Sequence, residues 1–94
     1  MKTFRLFKDR LKEDMKNPEF KKAFEKEEIF ASIAIQIAQI RQKKGLSQGD
    51  LAKRLHSTQQ TISRIEDTNN HSLSLTTLLK LAEVLHKKLR VELV

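Results

Sequence analysis

Apolar residues repeat at the spacing of one helix face in the middle of the chain. The stripe consists of Phe30, Ile33, Ala34, Ile37 and Ile40. Such an i, i+3, i+4, i+7 pattern is typical of an amphipathic helix packed against a core. Gly45 follows Lys43 and Lys44, and a glycine directly after basic residues is typical of a helix C-terminus. The pattern therefore predicts a helix that ends just before Gly45.

Two short helices are predicted next. Ser47 and Asp50 have the spacing of a capping box at the start of a helix over about residues 48–55. Thr58 can cap a third helix, whose apolar positions are Ile62 and Ile65. Because so few residues separate the two helices, we expect them to cross at a steep angle.

The C-terminal part of the chain changes from a helical to an alternating pattern. Ser74 can cap a fourth helix, whose apolar face consists of Leu75, Leu78, Leu79, Ala82 and Leu85. Beyond it, Leu89, Val91 and Leu93 alternate with other residues, as in a strand. A lone strand needs a partner for its hydrogen bonds, so we expect residues 89–94 to pair with the same strand of a second subunit. A frayed terminus is the alternative.

The N-terminal segment, residues 1–28, is predicted to form a helical arm. Its apolar positions are Phe4, Phe7, Leu11, Met15, Phe20, Ala23 and Phe24. Asn17 and Pro18 interrupt this series, with Asn17 as the N-cap and Pro18 as the first residue of a new helix. The segment is rich in Lys and Glu, so disorder is the alternative, but phenylalanines at helical spacing favour the arm.

Composition limits the classes of function. The chain has 94 residues, enough for one small domain, and a net charge of +7 suggests a polyanionic partner. Residues 29–56 hold five basic and one acidic residue, so this charge is concentrated there. A hydrophobic content of 38% is low for closing a core alone, so we expect a homodimer.

Several kinds of chemistry are not expected. There is no cysteine, the three histidines lack metal-ligand spacing, and two glycines cannot build a phosphate loop. We therefore expect no metal, no cofactor and no enzymatic activity. The start of the chain lacks the apolar core of a signal peptide, and the apolar stretch at residues 29–40 is too short to span a bilayer. We expect a soluble cytoplasmic protein without a membrane partner.

Residues 48–67 have the layout of two helices packed across a tight turn. Ala52 is small where the helices approach each other, while Leu51 and Leu55 face the core. The third helix and its cap present polar side chains, none of them acidic: Thr58, Gln59, Gln60, Thr61, Ser63 and Arg64. Gln can pair with adenine, Arg with guanine, and Thr offers a methyl group to thymine. The combination with the basic second helix indicates DNA binding, although Thr61 or Ser63 alone would be read as ordinary surface residues.

The same residues carry a family resemblance. The matching segments are Gly45-Leu46-Ser47-Gln48, Leu51-Ala52 and residues 58–66. They resemble the Xre-type helix-turn-helix family, which includes phage repressor and Cro proteins, over about residues 30–86. The resemblance implies an all-α bundle like that of lambda repressor, here with an N-terminal helical arm and a short C-terminal β-strand. We expect three parts: the arm at 1–28, the DNA-binding domain at 29–88 and a dimerisation strand at 89–94.

The resemblance also implies roles for individual residues. Base contacts in the major groove are expected from Thr58, Gln59, Gln60 and Arg64. Phosphate contacts are expected from Lys43, Lys44, Ser47, Gln48 and Asn69. Arg41 and Glu66 match a structural ion pair of phage repressors. His56 stands where the family usually has glycine, at a position that often needs a left-handed backbone, so we expect the turn to form at some cost in stability.

The whole chain resembles HigA-type antitoxins of type II toxin-antitoxin modules. The arm, its Asn17-Pro18-Glu19-Phe20 break, the Xre domain and the final residues 89–94 carry this second resemblance. It implies a dimer that binds a palindromic operator, represses its own operon and neutralises a RelE-like ribonuclease toxin. Toxin contacts are then expected from Phe4, Phe7, Leu11, Phe20 and Phe24. The alternative is a plain Xre repressor without a toxin partner.

Overall fold

The chain folds as a bundle of helices, as the sequence predicts. The structure, a computed structural model, describes residues 17–70 and 73–94. Within these ranges it contains four helices: α1 at Pro18–Lys43, α2 at Gln48–Arg54, α3 at Gln59–Ile65 and α4 at Leu75–Val84. The all-α class is therefore confirmed for the described part. Three of the expected toxin contacts, Phe4, Phe7 and Leu11, lie outside the described residues.

Helix α1 is one continuous element of 26 residues. Asn17 caps it, because its side-chain oxygen accepts hydrogen bonds from the backbone N–H of Glu19 at 3.0 Å and of Phe20 at 3.5 Å. Pro18 occupies the first turn, where no backbone N–H is needed. The expected division between residues 28 and 29 falls inside this helix. The arm residues from 18 onward are therefore joined to the bundle without a linker.

Three helix ends share one backbone motif. Gly45, His56 and His86 follow α1, α2 and α4, and all three have a left-handed backbone, with φ of 71°, 53° and 54°. After α2, the N–H of His56 donates to the carbonyl of Lys53 at 3.1 Å, and Ser57 N–H donates to the carbonyl of Ala52 at 2.8 Å. This pair of bonds is the Schellman motif, which satisfies the last carbonyls of a helix.

The hydrophobic core contains side chains from all four helices. Its largest fully buried side chains are Leu51 of α2, Ile62 of α3 and Leu81 of α4. The buried cluster is completed by Ile37, Ala52, Ile65 and Leu85. Phe24 is also buried but does not belong to this cluster. Helices α2 and α3 are thus held together by one shared hydrophobic core.

The predicted strand at residues 89–94 is not confirmed. In the single chain these residues have no regular secondary structure, and no strand occurs elsewhere in the described ranges. Arg90 Nε nevertheless donates to Glu92 Oε1 at 2.7 Å. Side chains two residues apart share a face when the backbone is extended. A strand also needs a ladder partner, which one chain does not supply.

Candidate nucleic-acid interface

Helix α3 has a buried apolar side and an exposed polar side. Ile62 is fully buried and Ile65 is 5% exposed, and both belong to the core cluster. The side chains on the opposite side are all exposed: Gln59, Gln60, Thr61, Ser63 and Arg64. Because the apolar side is fixed in the core, the polar side faces outward as one surface. Amide and guanidinium groups on such a surface can bond to base edges in a major groove.

The N-terminus of α2 lies beside the N-terminus of α3. A Cβ atom at Gly49 would lie 4.0 Å from Gln59 Oε1 and 3.7 Å from Ser47 Oγ. The amide of Gln59 therefore reaches over the first turn of α2. The structure thus brings Ser47 and Gln59, expected to contact phosphate and base respectively, into one neighbourhood.

Ser47 and Asp50 form the predicted capping box. Asp50 N–H donates to Ser47 Oγ at 3.0 Å, and Ser47 N–H donates to Asp50 Oδ2 at 2.9 Å. The bond from the Ser47 backbone, assisted by that with the Ser47 side chain, lowers the pKa of the Asp50 carboxyl below its ordinary value. Asp50 is therefore ionised at neutral pH and holds the start of α2.

Arg41, Glu66 and Gln48 form a hydrogen-bonded network behind this surface. Arg41 donates from Nε to Glu66 Oε2 at 2.7 Å and from Nη2 to Glu66 Oε1 at 3.0 Å. Its Nη1 donates to the carbonyl of Leu46 at 2.8 Å, and Gln48 Nε2 donates to Glu66 Oε1 at 3.2 Å. The hydrogen bonds with Glu66 raise the pKa of Arg41. The network therefore joins the end of α1, the start of α2 and the end of α3.

The remaining expected contacts have different surroundings. Thr58 is the N-cap of α3, and its hydroxyl is engaged with the backbone N–H of Thr61 at 3.1 Å and the Thr61 hydroxyl at 2.9 Å. Asn69 is exposed, and its backbone N–H donates to Asp67 Oδ1 at 2.9 Å. The two expected phosphate contacts at the C-terminal end of α1, Lys43 and Lys44, are both exposed. Thr58 thus has a capping role in addition to any contact with a base.

Comparison with known families shows the family of the chain. A family model described as helix-turn-helix matches residues 37–91, more than half of the 94 residues. The chain belongs to the helix-turn-helix family. This domain, of Xre/Cro type, is a DNA-binding regulator domain, which confirms the prediction of a DNA-binding transcription regulator. No curated protein and no solved structure matches the chain.

The matched helix-turn-helix region covers the C-terminal part of α1 and the chain from there to residue 91. The matched region begins at residue 37, whereas α1 begins at Pro18, so the first 19 residues of α1 precede the family's domain. Within the described ranges no helix has the length and apolar character needed to cross a bilayer. Nor do side chains there gather into a group of three or more His, Cys, Asp or Glu suited to a metal ion.

Two features of the helix-turn-helix were missed at the sequence level. The bond from Gln48 to Glu66 joins residues 18 positions apart, and no local pattern predicts it. The left-handed backbone at His86 had a signal, because Ala52-Lys53-Arg54-Leu55-His56 and Ala82-Glu83-Val84-Leu85-His86 share the order Ala-x-x-Leu-His. The sequence predicts a turn at His56 in the first of these segments, and the second segment has the same helix end.

Proposed function

We propose that this helix-turn-helix protein is an antitoxin that represses its own operon as a dimer and neutralises a RelE-like ribonuclease toxin. The observation that carries the proposal is the length of α1. A plain helix-turn-helix repressor has no need of the segment before residue 29, of which residues 18–28 form the first turns of α1. Their exposed side chains offer a second binding surface away from α3.

Operator reading is assigned to the exposed side of α3. Gln59, Gln60 and Arg64, with Thr58 at the cap, contact base edges, while Gln48 contacts phosphate. We expect Arg64→Ala to weaken operator binding by about 1–3 kcal/mol and to relax sequence preference. Gln48→Ala should instead weaken binding to all DNA sequences by a similar factor. Binding measured against a panel of single-base operator variants separates the two effects. Unchanged preference in Arg64→Ala would contradict the assignment.

The dimer is assigned to the C-terminal end of the chain. Val91 is 68% exposed, Leu93 is fully exposed, and Leu75 and Leu79 are more than half exposed on α4. Apolar side chains left in water at one end of a basic chain are typical of an interface. Pairing of residues 89–94 across a two-fold axis would bury Val91 and Leu93 and complete their backbone hydrogen bonds.

A truncation tests the dimer. Removing residues 89–94 should shift the chain from dimer to monomer in sedimentation and weaken operator binding in parallel, because a palindrome is bound by two recognition helices. The exchange Lys88→Ala, just before this segment, serves as the control and should leave the dimer intact. A truncated chain that stays dimeric would remove the strand from the proposal.

Toxin binding is assigned to the arm, which includes the first turns of α1. Glu19, Glu25 and Glu27 are exposed along these turns, and Ile29 is 61% exposed. A ribonuclease that acts on mRNA needs a basic active surface, and acidic residues beside an apolar anchor suit such a partner. Phe20, half-buried on the same turns, supplies further apolar surface, whereas the expected contact Phe24 is only 9% exposed and offers little of it. Phe4, Phe7 and Leu11 belong to the segment before them.

A capped truncation tests the toxin contact. Because α1 is continuous, removing residues 1–28 would also remove its N-cap, Asn17. The truncated chain should therefore begin with an added Asn-Pro cap directly before residue 29. We expect this chain to bind the operator and to fail to protect cells against the toxin encoded by the neighbouring reading frame. The full-length chain should co-purify with that toxin.

Two other outcomes would change the proposal. Protection that survives the truncation, with normal protein levels, would move the toxin contact elsewhere. Absence of any complex between the full-length chain and the product of the neighbouring frame would favour a plain Xre repressor.

A further inference from the structure

Glu66 is the shared acceptor of the network behind the DNA-binding surface. Its Oε1 accepts from both Arg41 Nη2 at 3.0 Å and Gln48 Nε2 at 3.2 Å, while Oε2 is taken by Arg41 Nε at 2.7 Å. The side chains of Arg41 and Glu66 are only 11% and 7% exposed. A carboxylate held by two bonds to a guanidinium has a fixed orientation. Gln48 therefore bonds to an acceptor whose orientation is set by Arg41.

We propose that Glu66 is a positioning residue for DNA binding, which holds the Gln48 amide so that its second N–H points to a backbone phosphate. The inference rests on the phosphate contact assigned to Gln48 above. An amide nitrogen carries two N–H donors, and the bond to Glu66 uses one of them. The other N–H is oriented before DNA arrives, so Gln48 loses less rotamer freedom on binding.

The role of Glu66 runs against its charge. A carboxylate close to DNA repels phosphate, so removing the charge should by itself tighten binding. If Glu66 positions Gln48, removing the carboxylate should instead weaken binding. The sign of the change in affinity therefore separates charge repulsion from positioning. Asp67 supplies a matched control, because it is an exposed carboxylate one residue away. It accepts a hydrogen bond from the backbone of Asn69 and none from Gln48.

A double-mutant cycle on the full chain tests the proposal. The probe is the duplex that the wild-type chain enriches from a random library, and affinity is measured at one fixed salt concentration. We expect Glu66→Gln to lower affinity by about threefold to tenfold, which corresponds to the loss of one hydrogen bond, because glutamine replaces one carboxylate oxygen with an NH2 donor and leaves a single acceptor for Arg41 and Gln48. In a chain that already carries Gln48→Ala, the same exchange should change affinity by less than about twofold, since residues that act through each other are not additive. Asp67→Asn should bind as tightly as the wild type or more tightly.

Each other outcome has a distinct meaning. Equal losses from Glu66→Gln with and without Gln48 would overturn the positioning role, because Glu66 would then act on the fold or on α3 alone. A gain in affinity would overturn it as well, since charge would dominate. If the wild-type chain enriches no duplex at all, the proposed operator binding itself fails, which is a different result from either.

A measurement on the wild-type chain covers the case in which Glu66→Gln does not fold. The Gln48 side-chain amide gives two proton signals in a nitrogen–proton NMR spectrum of the free protein. We expect one of them to be shifted by the bond to Glu66 before DNA is added, and the other to shift on addition of the enriched duplex. Two signals at the positions of a free glutamine, unaffected by the duplex, would overturn the proposal without any substitution.

Discussion

Replacing His56 by glycine should stabilise the protein. His56 has a φ of 53°, in the left-handed region, and its side chain is exposed. A residue with a Cβ pays about 1–2 kcal/mol for this conformation. Glycine avoids that cost but has more freedom to lose from the unfolded chain, about 0.5–1 kcal/mol. The net expectation is a gain of about 0.5–1 kcal/mol, because the Schellman bonds at this helix end are made by the backbone and stay.

The chain contains its own controls for this experiment. His86→Gly changes the same motif after α4 and should stabilise by a similar amount. Gly45→Ala makes the reverse exchange after α1, where a Cβ would meet nothing within 4 Å, so only the backbone conformation is penalised. We expect Gly45→Ala to destabilise by about 0.5–1 kcal/mol, because the left-handed conformation is unfavourable for alanine and the smaller freedom of its unfolded chain offsets only part of that cost.

Urea unfolding followed by circular dichroism measures all three changes, with thermal melting as a second probe. A gain of 1 kcal/mol corresponds to a rise in Tm of about 4–8 °C for a domain of this size. The reasoning would be refuted if His56→Gly and His86→Gly lowered stability while Gly45→Ala left it unchanged. In that case the histidine side chains, and not the backbone, would determine these helix ends.

Three further changes test other parts of the structure. Leu51→Ala removes a fully buried side chain and should cost about 2–5 kcal/mol in unfolding free energy, whereas Leu75→Ala, at a side chain 58% exposed, should cost far less in urea unfolding of the monomeric truncation. Asn17→Ala removes the N-cap of α1 and should lower stability by about 1 kcal/mol, with reduced helix content by circular dichroism. The lowered pKa of Asp50 stabilises the fold above the pKa of the unfolded chain, and this stability is lost as the pH falls below about 4, so Asp50→Asn should flatten that part of the stability-pH curve.

Local sequence signals predicted the helix starts because each one depends on few neighbouring residues. Ser47, Thr58 and Ser74 all cap the helices for which the sequence proposes them. The bond between Gln48 and Glu66 could not be predicted in this way, since it depends on how the helices pack. A strand at residues 89–94 would need a second chain to pair with. Its alternating pattern therefore indicates that the segment can form a strand, and does not predict one in the monomer.

Because α1 is continuous, the side chains at its N-terminal end have a fixed angle about the helix axis relative to those at its C-terminal end. Each residue of an α-helix turns the chain by about 100° and advances it by about 1.5 Å. With no hinge between Pro18 and Lys43, the azimuth of Phe20 and Phe24 relative to the recognition surface is set by residue count alone. Inserting one alanine between residues 28 and 29 would therefore swing those phenylalanines round the helix axis, and inserting seven would return them to within about 20° of their original phase. The direction in which Phe20 and Phe24 project is therefore fixed by the helix, whereas a flexible linker of any length would leave that direction undefined.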